Sequence, residues 1–562
     1  MDRHLLRAPL ALLLMLALAG CGVLEALQPT PPPVILIATP SPAGDPAPET
    51  PATRVLATIE PGGATAGPER GPTAQPQPNA TIAPGGGEAT PAPAEGQGGV
   101  VTFAFDSFPS YFPGVIAEVR GLMAQRGYEL ELVPFGLGGQ NDFSEEERFA
   151  RLRSGEWDVL ATTLDGFARQ GDPAIGAITA VVDESAGADK LVARQGIATI
   201  NELRGQRIAY SEGSVGEFFL YYALNLAGLR PGDVTLVARP TVATAVQAFV
   251  AGEADAVSAW EPDVQAAEQA GGQVLIASDQ LRAILDVLVT SRQSIDTEAP
   301  AVQAFHDAWF EALKLMTDDP ESAGQAVVEW GNGDWSAIEQ PGDLAASLET
   351  LAQATLGANQ IAFRTPDILV SRIRQAQEVW TGAGVSVPQG DFTQMVDGRF
   401  VAASARDPAL FSAQPPVNSS FLLTSRVDLP QLSEQEAQQA EAVVQLPIEQ
   451  VDFEPDSLRL TEQARRDLTD QVLPVLRSST LYLRIEGSSA WPGPEGRFSA
   501  EEIRSFARDR ATSVATFLSQ QGINPSRLII GTLEPKFPNS LDEAQLVQDR
   551  IVRFTLVTPG GR

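Results

Sequence analysis

The side chains best able to recognise a ligand are carboxylates and aromatic rings in loops that follow predicted strands. The acids in these loops are Asp165, Asp183, Glu184, Asp189, Glu212, Glu217 and Glu261. Tyr111, Phe167, Phe218 and Trp260 accompany them, and Lys190 adds one cation. Because carboxylates and aromatic faces both attract positive charge, this combination favours an amine or a heteroaromatic cation. We therefore expect the ligand to be a cationic or zwitterionic nitrogen compound.

Catalysis and metal binding are restricted by the scarcity of cysteine and histidine. The chain has one cysteine, Cys21, and two histidines, His4 and His306. One cysteine cannot form an intramolecular disulfide or a thiolate cluster, and so few histidines exclude a histidine-rich metal site. A Ser-His-Asp triad would need His306, which we interpret as a structural residue of an amphipathic helix. We predict no enzyme, no cofactor and no metal.

The overall charge narrows the range of partners. Lys and Arg total 39 and Asp and Glu total 71, which gives a formal net charge of −32. A surface this acidic repels phosphate backbones, so we expect no nucleic acid partner. The acidity fits a preference for cationic ligands, but simple solubility is the favoured explanation.

Alternating strand and helix patterns predict an α/β domain with a mostly parallel sheet over residues 100–404. The predicted strands are residues 100–105, 129–135, 158–162, 177–182, 207–210 and 234–237. Residues 215–226 and 242–251 have helical spacing of apolar side chains, and residues 299–380 are mainly helical.

Candidate ligand-binding residues lie where these strands end, because open α/β sheets bind ligands at the carboxyl ends of their strands. They are Ser110, Tyr111, Thr162, Thr163, Asp165, Asp183, Ser185, Asp189, Ser214, Val215, Glu217, Trp260 and Glu261. Each also has a purely structural interpretation. Ser214 and Glu217 have the spacing of a capping box, and Trp260 could belong to the core.

The N-terminal part of the chain has the composition of an export signal followed by a stalk. Basic residues precede an apolar run at residues 8–19, so we interpret residues 1–20 as a signal peptide. Residues 21–99 are rich in Pro, Gly, Ala and Thr. Such a segment buries too little apolar surface to offset its ordering entropy, which predicts a disordered stalk.

The end of the leader carries a more specific motif. Leu18-Ala19-Gly20-Cys21 resembles the lipobox of bacterial lipoproteins. The resemblance implies that Cys21 is the lipid attachment site and the mature N-terminus. It also implies that the protein is anchored by lipid to the extracytoplasmic face of the cell membrane.

An ordered set of short strings in the middle domain resembles one class of transport protein. The strings are Ser154-Gly155-Glu156-Trp157-Asp158, Ile200-Asn201-Glu202-Leu203-Arg204-Gly205, Ala251-Gly252-Glu253-Ala254-Asp255 and Trp260-Glu261-Pro262. Together they resemble the periplasmic binding proteins of ABC importers for aliphatic sulfonates, taurine, nitrate and thiamine precursors. The resemblance implies a two-lobed, type II-like periplasmic binding protein fold. Lobe one would be residues 100–193 with the segment after about 288, and lobe two residues 194–287. It also implies delivery of a small nitrogen-containing or sulfonate-type solute to an ABC permease and ATPase.

A linker at residues 405–446 separates this domain from a predicted βαβαββ domain of α+β type at residues 447–562. The predicted strands are residues 448–453, 480–486, 527–530 and 550–557, and the helices are residues 461–477 and 500–520. Ser499 and Glu502 have the spacing of a capping box for the second helix.

This last domain resembles the OmpA-like domains that bind peptidoglycan. The resemblance rests on Val451-Asp452-Phe453, Ile485-Glu486-Gly487, Arg510-Ala511 and Arg550-x-Val552-x-Phe554. It implies that Arg510 is a peptidoglycan-binding residue. The family's aspartate is replaced by Ala490, so wall binding would need Glu495 or Glu501 as a substitute.

Three functions remain open from the sequence. The first is the solute-binding component of an ABC importer. The second is an envelope adaptor or sensor whose solute-binding domain is not coupled to transport. The third is an enzyme of the same fold that uses carboxylates, which the scarcity of histidine and cysteine disfavours.

Overall fold

A computed structural model describes residues 98–135, 143–331, 338–364, 367–388, 390–412, 429–448, 450–454, 457–489, 499–534 and 551–559. The predicted signal peptide, Cys21 and nearly all of the predicted stalk lie outside the described residues, as do Ala490 and Glu495. No helix within these ranges is both long enough and apolar enough to cross a membrane.

The strands of the described ranges fall into three sheets. They are β1 (Val100–Phe105), β2 (Glu129–Pro134), β3 (Val159–Thr163), β4 (Gly176–Ser185), β5 (Asp189–Ala193), β6 (Arg207–Ser211), β7 (Thr235–Arg239), β8 (Ala256–Trp260), β9 (Gln273–Ala277), β10 (Leu285–Ser291), β11 (Leu351–Gln353), β12 (Glu441–Gln445), β13 (Tyr482–Gly487), β14 (Leu528–Thr532) and β15 (Val552–Thr558).

The helices cover these sheets. They are α1 (Pro113–Val119), α2 (Glu145–Ser154), α3 (Leu164–Gln170), α4 (Val215–Leu226), α5 (Val242–Val250), α6 (Gln265–Gln269), α7 (Arg292–Thr297), α8 (Ala299–Asp318), α9 (Pro320–Gly331), α10 (Pro341–Ser347), α11 (Leu356–Arg364), α12 (Asp367–Gly382), α13 (Arg399–Ser404), α14 (Glu434–Gln439), α15 (Glu462–Asp467), α16 (Leu473–Arg477) and α17 (Ala500–Gln520).

The first sheet has the order β11-β4-β10-β3-β1-β2 and forms the core of lobe one. All ten residues of β4 are buried, as expected for a strand covered on both faces. On one side of this core, the Phe103, Phe305 and Trp309 rings pack together, with centroids 5.3 to 6.1 Å apart. These aromatic contacts attach α8 to β1 and fix the sheet that carries the polar residues described below.

The second sheet has the order β7-β6-β8-β5-β9 and forms the core of lobe two. The α4 helix covers it with an almost continuous buried surface from Gly216 to Leu224. In both sheets parallel and antiparallel pairs are mixed, so the prediction of a mostly parallel sheet was wrong. The antiparallel strands arise because the chain crosses from one lobe to the other and then returns.

The two crossings set the boundary between the lobes. The chain leaves lobe one between β4 and β5, through residues 186–188, and returns between β9 and β10, through residues 278–284. The predicted boundaries were therefore misplaced by several residues. Asp189–Ala193 pairs with β8 and β9 in lobe two, whereas Leu285–Ser291 pairs with β3 and β4 in lobe one.

The third sheet, β12-β15-β13-β14, belongs to the C-terminal domain. The βαβαββ order occurs as predicted, but its first strand is Glu441–Gln445, which lies in the predicted linker. The described residues between 448 and 453 form no strand, and Phe453 makes only an isolated bridge to Leu460. The Ser499 and Glu502 capping box of α17 is confirmed. The resemblance to OmpA-like domains stays a prediction.

Candidate solute-binding site

A row of polar side chains crosses the first sheet where its strands approach lobe two. Gln353 of β11 pairs with Asp183 of β4, and Asp183 pairs with Asp286 of β10. Asp286 pairs in turn with Thr163 of β3. Residues opposite each other on adjacent strands share a face of the sheet. Four strands therefore present one contiguous polar row.

The loop after β1 adds two hydroxyl groups to this row. Pro109–Tyr111 forms a short 3-10 turn that leads into α1, and both Ser110 and Tyr111 are buried. The Gln353 Nε2 donates a 2.6 Å hydrogen bond to Ser110 Oγ. The Tyr111 hydroxyl donates a hydrogen bond to Asp286 Oδ1. The predicted residues Ser110 and Tyr111 are thus placed beside the predicted Asp183.

Burial changes the ionisation of the two acids in the row. Asp183 is fully buried, and this burial raises its pKa to about 7, although Ser110 and Asp286 offset part of the effect. Burial also raises the pKa of Asp286 well above its usual value, and the neighbouring Asp183 raises it further. Neither carboxylate oxygen of Asp183 has a hydrogen-bond partner within the described part of the chain. Such a group is costly unless a ligand completes its bonding.

Ser278, in the second crossing, holds the two crossings together. Ser278 Oγ accepts hydrogen bonds from the backbone N–H groups of Gly187, at 2.9 Å, and Asp189, at 3.2 Å. It also lies 2.8 Å from Ser185 Oγ. Ser185 donates a 2.6 Å bond to Asp189 Oδ2, and burial raises the pKa of Asp189 to about 6. Ser185 and Asp189 were predicted as ligand-binding residues, and the structure places both at the hinge between the lobes.

Asp165 lies in the first turn of α3, next to Thr162 and Thr163 at the end of β3. Burial raises its pKa to about 8, Thr163 offsets part of this rise, and Glu145 and Asp189 add to it. The Trp380 indole donates a 3.1 Å hydrogen bond to the Asp165 carbonyl oxygen. Because α12 packs against both α3 and α4, Trp380 connects this acid to lobe two.

The lobe two residues Ser214, Val215 and Glu217 lie at the start of α4, as predicted, but they do not form the capping box. Ser214 Oγ donates to the Ser211 carbonyl oxygen at 2.7 Å and does not cap the helix. Glu217 is buried and accepts bonds from the Gly213 N–H, at 2.8 Å, and the Tyr221 hydroxyl, at 2.9 Å. Glu217 therefore holds the loop before α4, and electrostatically it faces Glu145 of lobe one.

Trp260 is the last residue of β8, and Glu261 follows it. A Cβ on Gly216 would lie 3.3 Å from the Trp260 ring, so glycine permits the ring to approach the start of α4. Glu261 accepts a 2.7 Å bond from Lys190 Nζ, which bonds equally to Glu268. The candidate cation Lys190 is thus neutralised by two carboxylates at a partly exposed position.

Sequence reasoning missed two members of the polar row, Asp286 and Gln353. Asp286 had a signal, since it is a carboxylate within the apolar run Ile284-Leu285-Asp286-Val287-Leu288. Gln353 lies on a three-residue strand in a mainly helical region and had none. Asn359 holds this strand in place, because its amide exchanges 2.8 Å hydrogen bonds with both backbone groups of Val181 and donates to the Ala354 carbonyl oxygen.

Other features of the described residues do not coincide with this site. A surface cavity of about 700 Å³ is lined by residues 228–232 and 381–384 with Tyr221, Asn225 and Val379, and it contains none of the predicted site residues. It lacks buried acids, so we place the site at the polar row. No group of three or more His, Cys, Asp or Glu side chains in the described ranges is arranged to hold a metal ion.

Residues 161–323, which include much of the polar row, match the family model described as NMT1/THI5 like. A binding protein of Brucella abortus is 31% identical over 173 residues, which are 30% of this chain and 54% of that protein. The taurine-binding periplasmic protein of Escherichia coli is 29% identical over 137 residues, 24% of this chain and 42% of that protein. The chain thus spans about half the length of the curated relatives it matches. Part of this chain is thus similar in sequence to binding proteins.

The periplasmic aliphatic sulphonate-binding protein of Escherichia coli aligns with 53% of this chain and 92% of its own, with a TM-score of 0.42 and 17% identity.

Proposed function

We propose that this chain is an extracytoplasmic solute-binding lipoprotein whose middle domain captures a small solute between two lobes and delivers it to an ABC permease and ATPase. One observation carries the proposal. The polar row of Gln353, Asp183, Asp286 and Thr163, in which the first three side chains are buried, lies beside the two crossings that join the lobes. Lobes joined by two short crossings can close around a ligand held at that point. The match of residues 161–323 to the NMT1/THI5 like family and the similarity of part of the chain to binding proteins support this function.

Binding is favoured over catalysis by the groups that surround the row. They are carboxyls, hydroxyls and one amide, and no imidazole or thiol is among them. His306 lies elsewhere, in α8, where its Nδ1 is 2.9 Å from the Val302 carbonyl oxygen and its ring stacks on Phe400. Burial lowers the pKa of His306 to about 4, so this imidazole is a neutral core residue.

The two ends of the chain would place this domain in the envelope. Lipid on Cys21 would anchor the protein, and residues 22–99 would act as a flexible tether to the membrane. The C-terminal domain would contribute association with the envelope or with peptidoglycan. In that domain Arg510 lies over the Phe453 and Phe506 rings, 5.3 and 4.8 Å from their centroids.

A sensor or adaptor role is the second candidate, and one contact favours it. The C-terminal domain hydrogen-bonds to residues 279–282, within the second crossing between the lobes. A domain attached there could report whether the lobes are closed.

Uptake and thermal stability together test the proposal. We expect a small solute to raise the melting temperature of the purified chain, and we expect a deletion strain to lose uptake of that solute. Cys21→Ser should bind the solute equally well and restore uptake poorly, because the protein would leave the membrane. A solute that binds while uptake is unaffected by the deletion would favour the sensor role. Absence of any stabilising or co-purifying small molecule would refute solute binding.

A further inference from the structure

We infer that this site takes a cationic solute carrying at least two N–H donors, such as a guanidinium or a primary diamine, rather than a sulfonate or another anion. The inference rests on the proposed solute-binding function and specifies its ligand. It follows from the hydrogen-bonding capacity that the protein leaves unused at the site.

The unused groups of the row are acceptors. Arg148 Nε, a buried donor in α2 that also lacks a partner in the described residues, belongs to a guanidinium that lies over the Phe135 ring. The buried oxygens without a hydrogen-bond partner in the described residues include Asp165 Oδ1, both carboxylate oxygens of Asp183, Asp189 Oδ1 and Gln353 Oε1. Asp183 is fully buried, and the other three side chains are at most 9% exposed. Buried acceptors without donors are destabilising, so a ligand that supplies N–H groups satisfies them. A sulfonate would add three more acceptor oxygens.

The donors near these oxygens are already engaged. The Tyr111 hydroxyl donates to Asp286, the Ser185 hydroxyl donates to Asp189, and the Gln353 amide donates to Ser110. Lys190 is held between Glu261 and Glu268. Anion-binding sites need free N–H and O–H groups or a guanidinium. The Tyr111 and Ser185 hydroxyls therefore have no proton left to donate to an anion.

The charged groups that face the row are mostly acidic. Besides burial, the charges of Asp189 and Glu184 raise the pKa of Asp183, whereas the neighbouring Asp286 lowers it. Besides burial and Asp183, the charge of Asp106 raises the pKa of Asp286. Arg282 and Arg372 act on Glu184, whose pKa is nevertheless raised by burial. Arg372 Nη2 lies 3.6 Å from Glu184 Oε1, so the arginines compensate the acid outside the row. The acids of the row favour a cation over an anion, because a cation stabilises their ionised forms.

This arrangement predicts that the solute exchanges with protons. Burial raises the pKa of Asp183 to about 7, of Asp165 to about 8 and of Asp189 to about 6. At pH 7 and without ligand, Asp165 is therefore mostly protonated and Asp183 about half protonated, whereas Asp189 is mostly ionised. An arriving ammonium or guanidinium favours their ionised form and displaces protons to solvent. An anion would have the opposite effect and take up protons.

Titration calorimetry on the full chain tests the inference with three probes. Agmatine carries a guanidinium and an ammonium, choline is a cation without N–H donors, and ethanesulfonate is an anion. Each is titrated at pH 7 in two buffers of different ionisation enthalpy, which gives the number of protons exchanged. We expect agmatine to bind with proton release and to bind at least about tenfold more tightly than choline or ethanesulfonate, since charge-assisted bonds are lost with the latter two.

Two variants assign the effect to the site. Asp183→Asn should weaken agmatine binding at least about tenfold and reduce the proton release. Asp296→Asn makes the same charge change at an exposed position and should leave both unchanged. Tighter binding of ethanesulfonate than of agmatine would overturn the cationic class while upholding solute binding. Failure of all three probes would also overturn it, and mass spectrometry of the co-purifying small molecule would then decide the proposed function separately.

Discussion

The backbone N–H of Arg282 donates a 2.8 Å hydrogen bond to the carbonyl oxygen of Ser478, which joins the second crossing between the lobes to the C-terminal domain. The Thr480 N–H donates to the Gln280 carbonyl oxygen at 3.0 Å, and its hydroxyl donates to Asp279 at 2.9 Å. Arg527 fixes the C-terminal side of this contact by donating to the Ser479 and Leu481 carbonyl oxygens. The contact begins one residue after Ser278, which belongs to the hinge.

This contact predicts that the C-terminal domain influences solute affinity. Thr480→Val with Tyr222→Phe removes the Asp279 bond and the 2.8 Å bond between Tyr222 and Ser478. The contact with the C-terminal domain holds the second crossing, and Ser278 of that crossing accepts a hydrogen bond from the Asp189 N–H. Loosening the crossing should therefore weaken solute binding. Each bond contributes about 1 kcal/mol, and we expect a loss of affinity of several fold.

The control for this variant is Thr516→Val, which removes a hydroxyl bonded within α17, away from the crossing. Calorimetry of both proteins with the same solute checks the prediction. Equal affinities would show that the domains are attached without being coupled.

The raised pKa of Asp183 predicts that the free energy of unfolding depends on pH near neutrality. Its folded-state pKa of about 7 lies above the usual value of 3.8. The stabilisation from protonated Asp183 is therefore fully present below about pH 4 and is lost as the pH rises through 7. Asp183→Asn should be more stable than the unchanged protein at pH 8 by at least about 1 kcal/mol, with a smaller difference at pH 5.

Urea unfolding of both proteins without ligand, at pH 5 and pH 8, measures this difference. A variant that is less stable at pH 8 would mean that Asp183 is a paired structural acid. Greater stability together with lost solute binding is the behaviour expected of a binding residue.

In this row the Tyr111 hydroxyl donates a hydrogen bond to the Asp286 carboxyl. Tyr111→Phe would leave the buried Asp286 with less compensation, so we expect a loss of about 1–3 kcal/mol in the free energy of unfolding. Tyr128→Phe removes a hydroxyl from a partly exposed ring and should cost less than about 0.5 kcal/mol. Equal losses in the two variants, measured at pH 8, would argue against the bond.

The sequence predicted the elements of this fold better than their assignment to lobes. The helix Val215–Leu226 was predicted at its observed ends because its apolar spacing is regular and it begins after Ser214. The lobe boundary was misplaced because Asp189–Ala193 and Leu285–Ser291 are short apolar runs, and only strand pairing assigns them to a sheet. The polar row was predicted in part, through Asp183 and Thr163. Gln353 joins it by a long-range pairing that local patterns do not contain.

For the C-terminal domain we predict weak binding to peptidoglycan. Arg510 supplies a guanidinium for a carboxylate, but Ala490 supplies no anion for the ammonium of diaminopimelate. Losing such a bond costs about 1.5–3 kcal/mol, or one to two orders of magnitude in affinity. In pull-down assays on purified peptidoglycan, Ala490→Asp should bind more strongly than the unchanged chain. Tight binding of the unchanged chain that Arg510→Ala abolishes would mean that another acid has replaced the missing aspartate.

The distance between the lobes tests the central claim most directly. Cys21 is the only cysteine, so a Cys21→Ser background allows spin labels at Glu146→Cys in lobe one and Gln247→Cys in lobe two, both at exposed positions. Pulsed electron resonance should show a shorter and narrower distance when a stabilising solute is added, and Asp183→Asn should abolish this change. An unchanged distance with a solute that binds and stabilises the protein would contradict capture between the two lobes.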